Sequence, residues 1–81
     1  MLIEHREDFI KKIGKIKHEA IKEQIKKQVE KIINNPEIGK PMRYNRKGTR
    51  ELYLKPFRLA YVYIPEEEKL IFLDLYHKDE Q

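Results

Sequence analysis

Apolar residues recur at helical spacing over the first part of the chain and at every second position over the last part. Phe9, Ile13, Ile16 and Ala20 step by four, three and four, and Ile21, Ile25, Val29 and Ile32 extend the stripe. Lys and Glu fill the other faces. Gly14 and the segment Lys15–Lys17 interrupt the stripe, which predicts two helices over residues 7–14 and 17–34. Asn34-Asn35-Pro36 ends the second, because Pro cannot continue a helix and Asn before it favours a turn. Leu2 and Ile3 suit a short first strand within Met1–Arg6.

After Gly39, Pro41 and Gly48 the period changes to two. Leu52 and Leu54 alternate with Glu51, Tyr53 and Lys55, and Phe57, Leu59, Tyr61 and Tyr63 alternate with Arg58, Ala60, Val62 and Ile64. Ile71, Leu73 and Leu75 alternate with Leu70, Phe72 and Asp74. Aromatic and branched residues in such runs read as strands. Lys55-Pro56 and Pro65–Glu68 are the turns, giving an antiparallel meander. The expected architecture is α+β in two layers, βααβββ, with a helical hairpin on one face of a small antiparallel sheet. It forms one domain, residues 1–81, and leaves the other sheet face open and concave.

Composition narrows the chemistry. The 81 residues include no Cys, no Trp, no Ser and one Thr, Thr49. A disulfide frame, a zinc finger, a thiol nucleophile and a Ser-His-Asp triad are thereby excluded. His5, His18 and His77 are scattered, with no two at metal-ligand helical spacing, so neither a metal nor another cofactor is expected. No apolar run approaches the ~18 residues of a membrane span, and no leader-like segment opens the chain. A cytoplasmic protein with no membrane contact and no small-molecule cofactor is the expectation.

The net charge of +4, from 18 Lys+Arg and 14 Asp+Glu, is unevenly placed. Residues 36–58 carry seven basic groups (Lys40, Arg43, Arg46, Lys47, Arg50, Lys55 and Arg58) against Glu37 and Glu51. Residues 59–81 carry two basic and six acidic groups. Four Arg in the central stretch suit a polyanion, since guanidinium grips phosphate bidentately. Arg43, Arg46, Lys47, Arg50 and Lys55 are the candidate RNA-binding residues.

Several segments, in order, resemble the RelE/ParE-type toxins of prokaryotic type II toxin–antitoxin systems. Asn35-Pro36-Glu37-Ile38-Gly39-Lys40-Pro41-Met42 is similar to their link between helical hairpin and sheet. Lys47-Gly48-Thr49-Arg50-Glu51-Leu52 resembles the entry to the next strand, Phe57-Arg58-Leu59-Ala60-Tyr61 the strand carrying an Arg, and His77-Lys78 the end of the last strand. The RelE branch is favoured. That resemblance implies metal-independent endonuclease action on ribosome-bound mRNA and a cognate antitoxin partner. In such a reaction the RNA 2′-oxygen attacks phosphorus and the 5′-oxygen leaves, which requires a base, an acid and cations around the transition state.

By the same resemblance Arg58 grips the scissile phosphate. His77 serves proton transfer, imidazole being the side chain that titrates nearest neutrality. Lys78 clamps phosphate, and Tyr53 stacks on a base or donates a hydrogen bond. Glu51 and Tyr53 stand where the RelE branch has paired lysines, and the chain ends Asp79-Glu80-Gln81 without that branch's terminal Tyr. The alternatives are a ParE-like or catalytically impaired toxin acting by protein contact on DNA gyrase, and a non-cleaving RNA-binding domain.

Overall fold

Strand β1 (Leu2–His5) leads into helices α1 (Glu7–Lys15) and α2 (Glu19–Asn34) in a computed structural model that describes residues 1–42 and 48–77. Strands β2 (Lys40–Pro41), β3 (Thr49–Leu54), β4 (Phe57–Ile64) and β5 (Lys69–His77) follow, with a single 3-10 turn at Pro65–Glu67 before β5. The five strands form one sheet in the order β1-β5-β4-β3-β2. This is the expected α+β two-layer fold with two differences. The sheet is mixed, because β1 pairs parallel with β5. It also has a fifth strand, since β2 pairs Lys40 with Glu51 and Pro41 with Arg50. Two residues are too few to show an alternation.

Local chemistry accounts for the helices. Glu7 and Asp8 lie in the first turn of α1, and Lys12 and Lys15 in its last, matching the helix dipole. Phe9 from α1, and Ile25 and Ile32 from α2, are buried against Leu54, Leu59, Tyr61, Leu70, Phe72 and Leu75 of the sheet. Ala20 is exposed, so it does not extend the stripe as its spacing suggested. Phe9 and Phe72 stack with centroids 5.3 Å apart, and Tyr61 tilts against Phe72 at 6.3 Å. Such pairs add about 0.5–1.5 kcal/mol each beyond the area they bury.

Strict alternation fails once, in β5. Ala60 faces Asp74 and Tyr61 faces Phe72, so Leu73 is the extra residue of a β-bulge. The bulge lets Leu70, Phe72 and Leu75 all enter the core, with exposures of 0%, 0% and 1%. The expected grouping of Ile71, Leu73 and Leu75 on one face is corrected accordingly. Beyond the bulge, side chains have exchanged faces relative to simple counting from Leu70.

Tyr61 joins the two layers. Its buried hydroxyl donates to the Pro36 carbonyl at 2.8 Å and accepts the Gly39 N–H at 2.8 Å. Arg50 reinforces the same turn, Nη1 donating to the carbonyls of Glu37 at 3.1 Å and Gly39 at 2.8 Å. The exit from α2 is thus tied to the middle of the sheet. A Cβ on Gly39 would fall 2.5 Å from the Tyr61 hydroxyl and 2.8 Å from its ring, so glycine is required there for space. Gly48, with φ +80°, enters β3 in the left-handed region that glycine adopts without strain.

Tyr61→Phe leaves a buried N–H and a carbonyl short of a partner, and is expected to cost about 1–3 kcal/mol in urea unfolding. Gly39→Ala should cost a similar amount by overpacking, about 1–3 kcal/mol. Burial raises the Tyr61 pKa above its ordinary value, and the Gly39 hydrogen bond and the Arg50 charge oppose that only in part. A raised folded-state pKa means stability present below about pH 10, the unfolded value, and lost as pH climbs through the folded one. Alkaline unfolding should therefore be steeper in the wild type than in Tyr61→Phe. Equal slopes would show that Tyr61 does not titrate with unfolding.

Candidate nucleic-acid interface

Pairing register decides what shares the sheet face away from the helices. Leu59 and Tyr61 point into the core, so their neighbours Arg58 and Ala60 point the other way. Across the strands, Arg58 lies between Tyr53 of β3 and Tyr76 of β5. The next row runs Lys40, Glu51, Ala60, Asp74. Lys40, Glu51, Tyr53 and Arg58 line a cleft of about 290 Å³ on this face.

The cleft is polar and incompletely paired. Arg58 Nη1 lies 3.5 Å from Glu51 Oε1, with side chains 36% and 16% exposed. That distance is the outer limit of a hydrogen bond. Arg58 Nε and Glu51 Oε2 are buried with no hydrogen-bond partner. The guanidinium carbon sits 5.9 Å from the centre of the Tyr53 ring, within cation–π range, and Tyr53 is itself 53% exposed. Tyr53 is therefore half-open to solvent beside the guanidinium. Asp74 is engaged elsewhere: Oδ1 accepts the Leu75 N–H at 2.8 Å and lies 3.6 Å from Lys12 Nζ.

The other candidate residues do not all converge here. Arg50 has the opposite parity to Glu51 and Tyr53, and its Nη1 is spent on the carbonyls of the 37–39 turn. Lys55 is exposed in the loop between β3 and β4. His77 pairs across from Phe57 and sets its ring edge-on to it, centroids 5.7 Å apart at 80°. The β-bulge thus brings Tyr76, and not His77, onto the Arg58 face. Arg43, Arg46, Lys47 and Lys78 lie outside the described residues. Lys40 was not singled out from the sequence as a site residue, whereas Glu51 was noted as standing where the RelE branch has a lysine. The signal for Lys40 was its place one residue after Gly39, but parity cannot be read from a two-residue strand.

Two larger clefts occupy the helical side and are mainly apolar. One, of about 490 Å³, runs between α1 and α2 along Phe9, Ile10, Ile13, Ile25 and Val29. The other, of about 520 Å³, lies by Ile16, Ile21, Phe57 and Leu75. Among the described residues no group of His, Asp and Glu is arranged to hold a metal ion, and no helix is long and apolar enough to cross a membrane.

Comparison with known proteins agrees with this architecture. The model of the ParE toxin of the type II toxin–antitoxin system parDE matches residues 3–81. The chain belongs to that family of toxin–antitoxin toxins. Its fold is similar to the toxin in the intact E. coli RelBE toxin–antitoxin complex, with TM-score 0.79 and 19% identity over 94% of each chain. The RelBE2 toxin–antitoxin complex from Mycobacterium tuberculosis gives TM-score 0.80 and 19% identity, covering 95% of this chain and 96% of that one. A conserved hypothetical protein from Helicobacter pylori gives TM-score 0.58 and 22% identity, over 99% and 97%. No curated protein matches the sequence significantly.

The Arg58–Glu51 pair is half-buried, so it should be worth about 0.5–1 kcal/mol, the upper range of measured exposed pairs. A double-mutant cycle of Arg58→Ala and Glu51→Gln, followed by urea unfolding, reads that coupling directly. A coupling within error of zero would mean that the two side chains do not interact in solution.

Proposed function

We propose that this toxin is a metal-independent endoribonuclease that cuts mRNA on the ribosome, and that a cognate antitoxin neutralises it in the cytoplasm. One observation carries the reading: Arg58 stands on the uncovered face of the sheet, Nε unpartnered, between Tyr53 and Tyr76. A guanidinium so placed can accept a phosphate and follow it as negative charge grows on the equatorial oxygens. Lys40 adds a second cation to the same cleft. The half-exposed Tyr53 ring offers a base a stacking surface.

No bound metal is required for the chemistry. The substrate supplies its own nucleophile, the 2′-hydroxyl, so DNA should bind without being cut. The basic stretch from Lys40 to Arg58, including Arg43, Arg46 and Lys47, would hold the RNA backbone in a salt-dependent way. For the antitoxin, the apolar groove between α1 and α2 and the basic face are the two surfaces suited to a chain with apolar anchors and acidic groups. Solved toxin–antitoxin complexes of similar fold support an antitoxin partner.

A second reading is favoured by the family description itself. A ParE-like toxin would act on DNA gyrase by protein contact, and Glu51 in the cleft would then cost it nothing. Induced expression with 5′-end mapping of cellular mRNA separates the two. The nuclease reading predicts new cuts within translated frames, whereas growth arrest with intact mRNA and blocked supercoiling favours gyrase. In a reconstituted assay on translating ribosomes, Arg58→Ala should slow cleavage by about 10²–10³-fold. His77→Ala, on the Phe57 side, should slow it less than about tenfold, the lower bound for a general acid or base being about 10²-fold. Equal losses from the two would restore His77 to the reaction.

A further inference from the structure

The ribonuclease reading leaves one role unfilled on the Arg58 face, that of the group which takes the proton from the 2′-hydroxyl. The expected imidazole, His77, lies beside Phe57 on the other side of the sheet. Asp74 shares the row of Glu51 but is two strands away from it across Ala60, and its Oδ1 is already bonded to the Leu75 N–H and close to Lys12. Glu51 is the carboxylate among the described residues that touches Arg58. Its Oε2 is a buried acceptor with no donor, and Arg58 Nε is a buried donor with no acceptor.

We infer that Glu51 is the general base of the cleavage reaction, an assignment that rests on the nuclease reading above. Both side chains line the same cleft, and a ligand that offers an acceptor and a donor would satisfy the two atoms once the side chains turn toward it. A ribonucleotide does so, with a phosphate oxygen for Arg58 Nε and the adjacent 2′-hydroxyl for the Glu51 carboxylate. A deoxyribonucleotide brings the phosphate but not the hydroxyl. The carboxylate lines the cleft and is weakly held, since Oε1 meets Arg58 Nη1 only at 3.5 Å and the terminal torsion of Glu is soft. The charged groups facing Glu51 are Lys40 from β2 and Arg58 from β4.

The step balances without another reagent. Glu51 takes the 2′-hydroxyl proton as the 2′-oxygen forms its bond to phosphorus. The bond from phosphorus to the 5′-oxygen breaks, and that oxygen takes a proton from water. The products are a 2′,3′-cyclic phosphate and a 5′-hydroxyl end, and Glu51 returns its proton to solvent.

Single-turnover cleavage of mRNA on translating ribosomes tests the assignment with wild type, Glu51→Gln, Glu51→Asp and Arg58→Ala, each checked for its thermal midpoint. Glu51→Gln keeps the shape and a hydrogen-bonding oxygen but cannot take a proton. It should cut about 10²–10⁴-fold more slowly, bind RNA as tightly as the wild type or more so, and lose the acidic limb of the pH–rate profile. Glu51→Asp should recover part of the rate. A Glu51→Gln rate within threefold of wild type, or above it, would overturn the assignment and leave Glu51 as a counter-ion to Arg58, the nuclease reading standing. Intact RNA in the wild-type reaction would overturn both. Should Glu51→Gln lose its folded midpoint, Glu51→Ala takes its place, and a folded Glu51→Ala within threefold of the wild-type rate would equally reject the base.

Discussion

The buried hydroxyl of Tyr61 is the contact on which the rest of the molecule is arranged. It comes from the centre of β4 and ends on the Pro36 carbonyl and the Gly39 N–H, at the point where the chain leaves α2. Those groups would otherwise be polar atoms shut away from water with nothing to bond. Fixing them fixes the direction in which the chain re-enters the sheet. β2 begins at the next residue, and its register sets Lys40 opposite Glu51. The cleft lined by Lys40, Glu51, Tyr53 and Arg58 is therefore assembled at a distance by a contact on the opposite side of the sheet.

The same sheet sends two arginines of one short basic stretch into different surroundings. Arg50 and Arg58 are both on strands, yet the twofold alternation of side chains sends them to opposite faces. Arg50 satisfies backbone carbonyls and steadies the turn. Arg58 meets a carboxylate at the edge of hydrogen-bonding distance and keeps one donor unspent. A half-committed pair of this kind adds little stability, because each charge has lost water without a full set of partners. Such strain in pairing is tolerable where a ligand completes it.

Much of this fold could be read in the residues. The 3.6-residue stripe gave both helices to within a few positions, and the alternation from Leu52 to Leu75 gave the three long strands. What could not be read was set by contacts distant in sequence. β2 is two residues long and follows a turn that Tyr61 and Arg50 hold from distant strands. The parallel pairing of β1 depends on β5, more than sixty residues away. The bulge at Leu73 has no Gly or Pro to announce it, and it alone reverses the faces of Tyr76 and His77. Arg58 was legible, since its parity opposite Leu59 and Tyr61 required nothing beyond β4. Glu51 was visible as an acid in a basic stretch, but its orphaned oxygen appears only once the strands are paired.

The central claim is that the sheet face bearing Arg58, and not the face bearing Arg50, receives RNA. Nitrogen-15 NMR of the arginine Nε–H groups tests it most directly, with an RNA oligonucleotide made uncleavable by a single 2′-deoxy substitution. The account predicts that the Arg58 Nε–H resonance moves on titration and reverses with salt, while that of Arg50 stays in place. An Arg58 resonance that remains still as Arg50 shifts would contradict it.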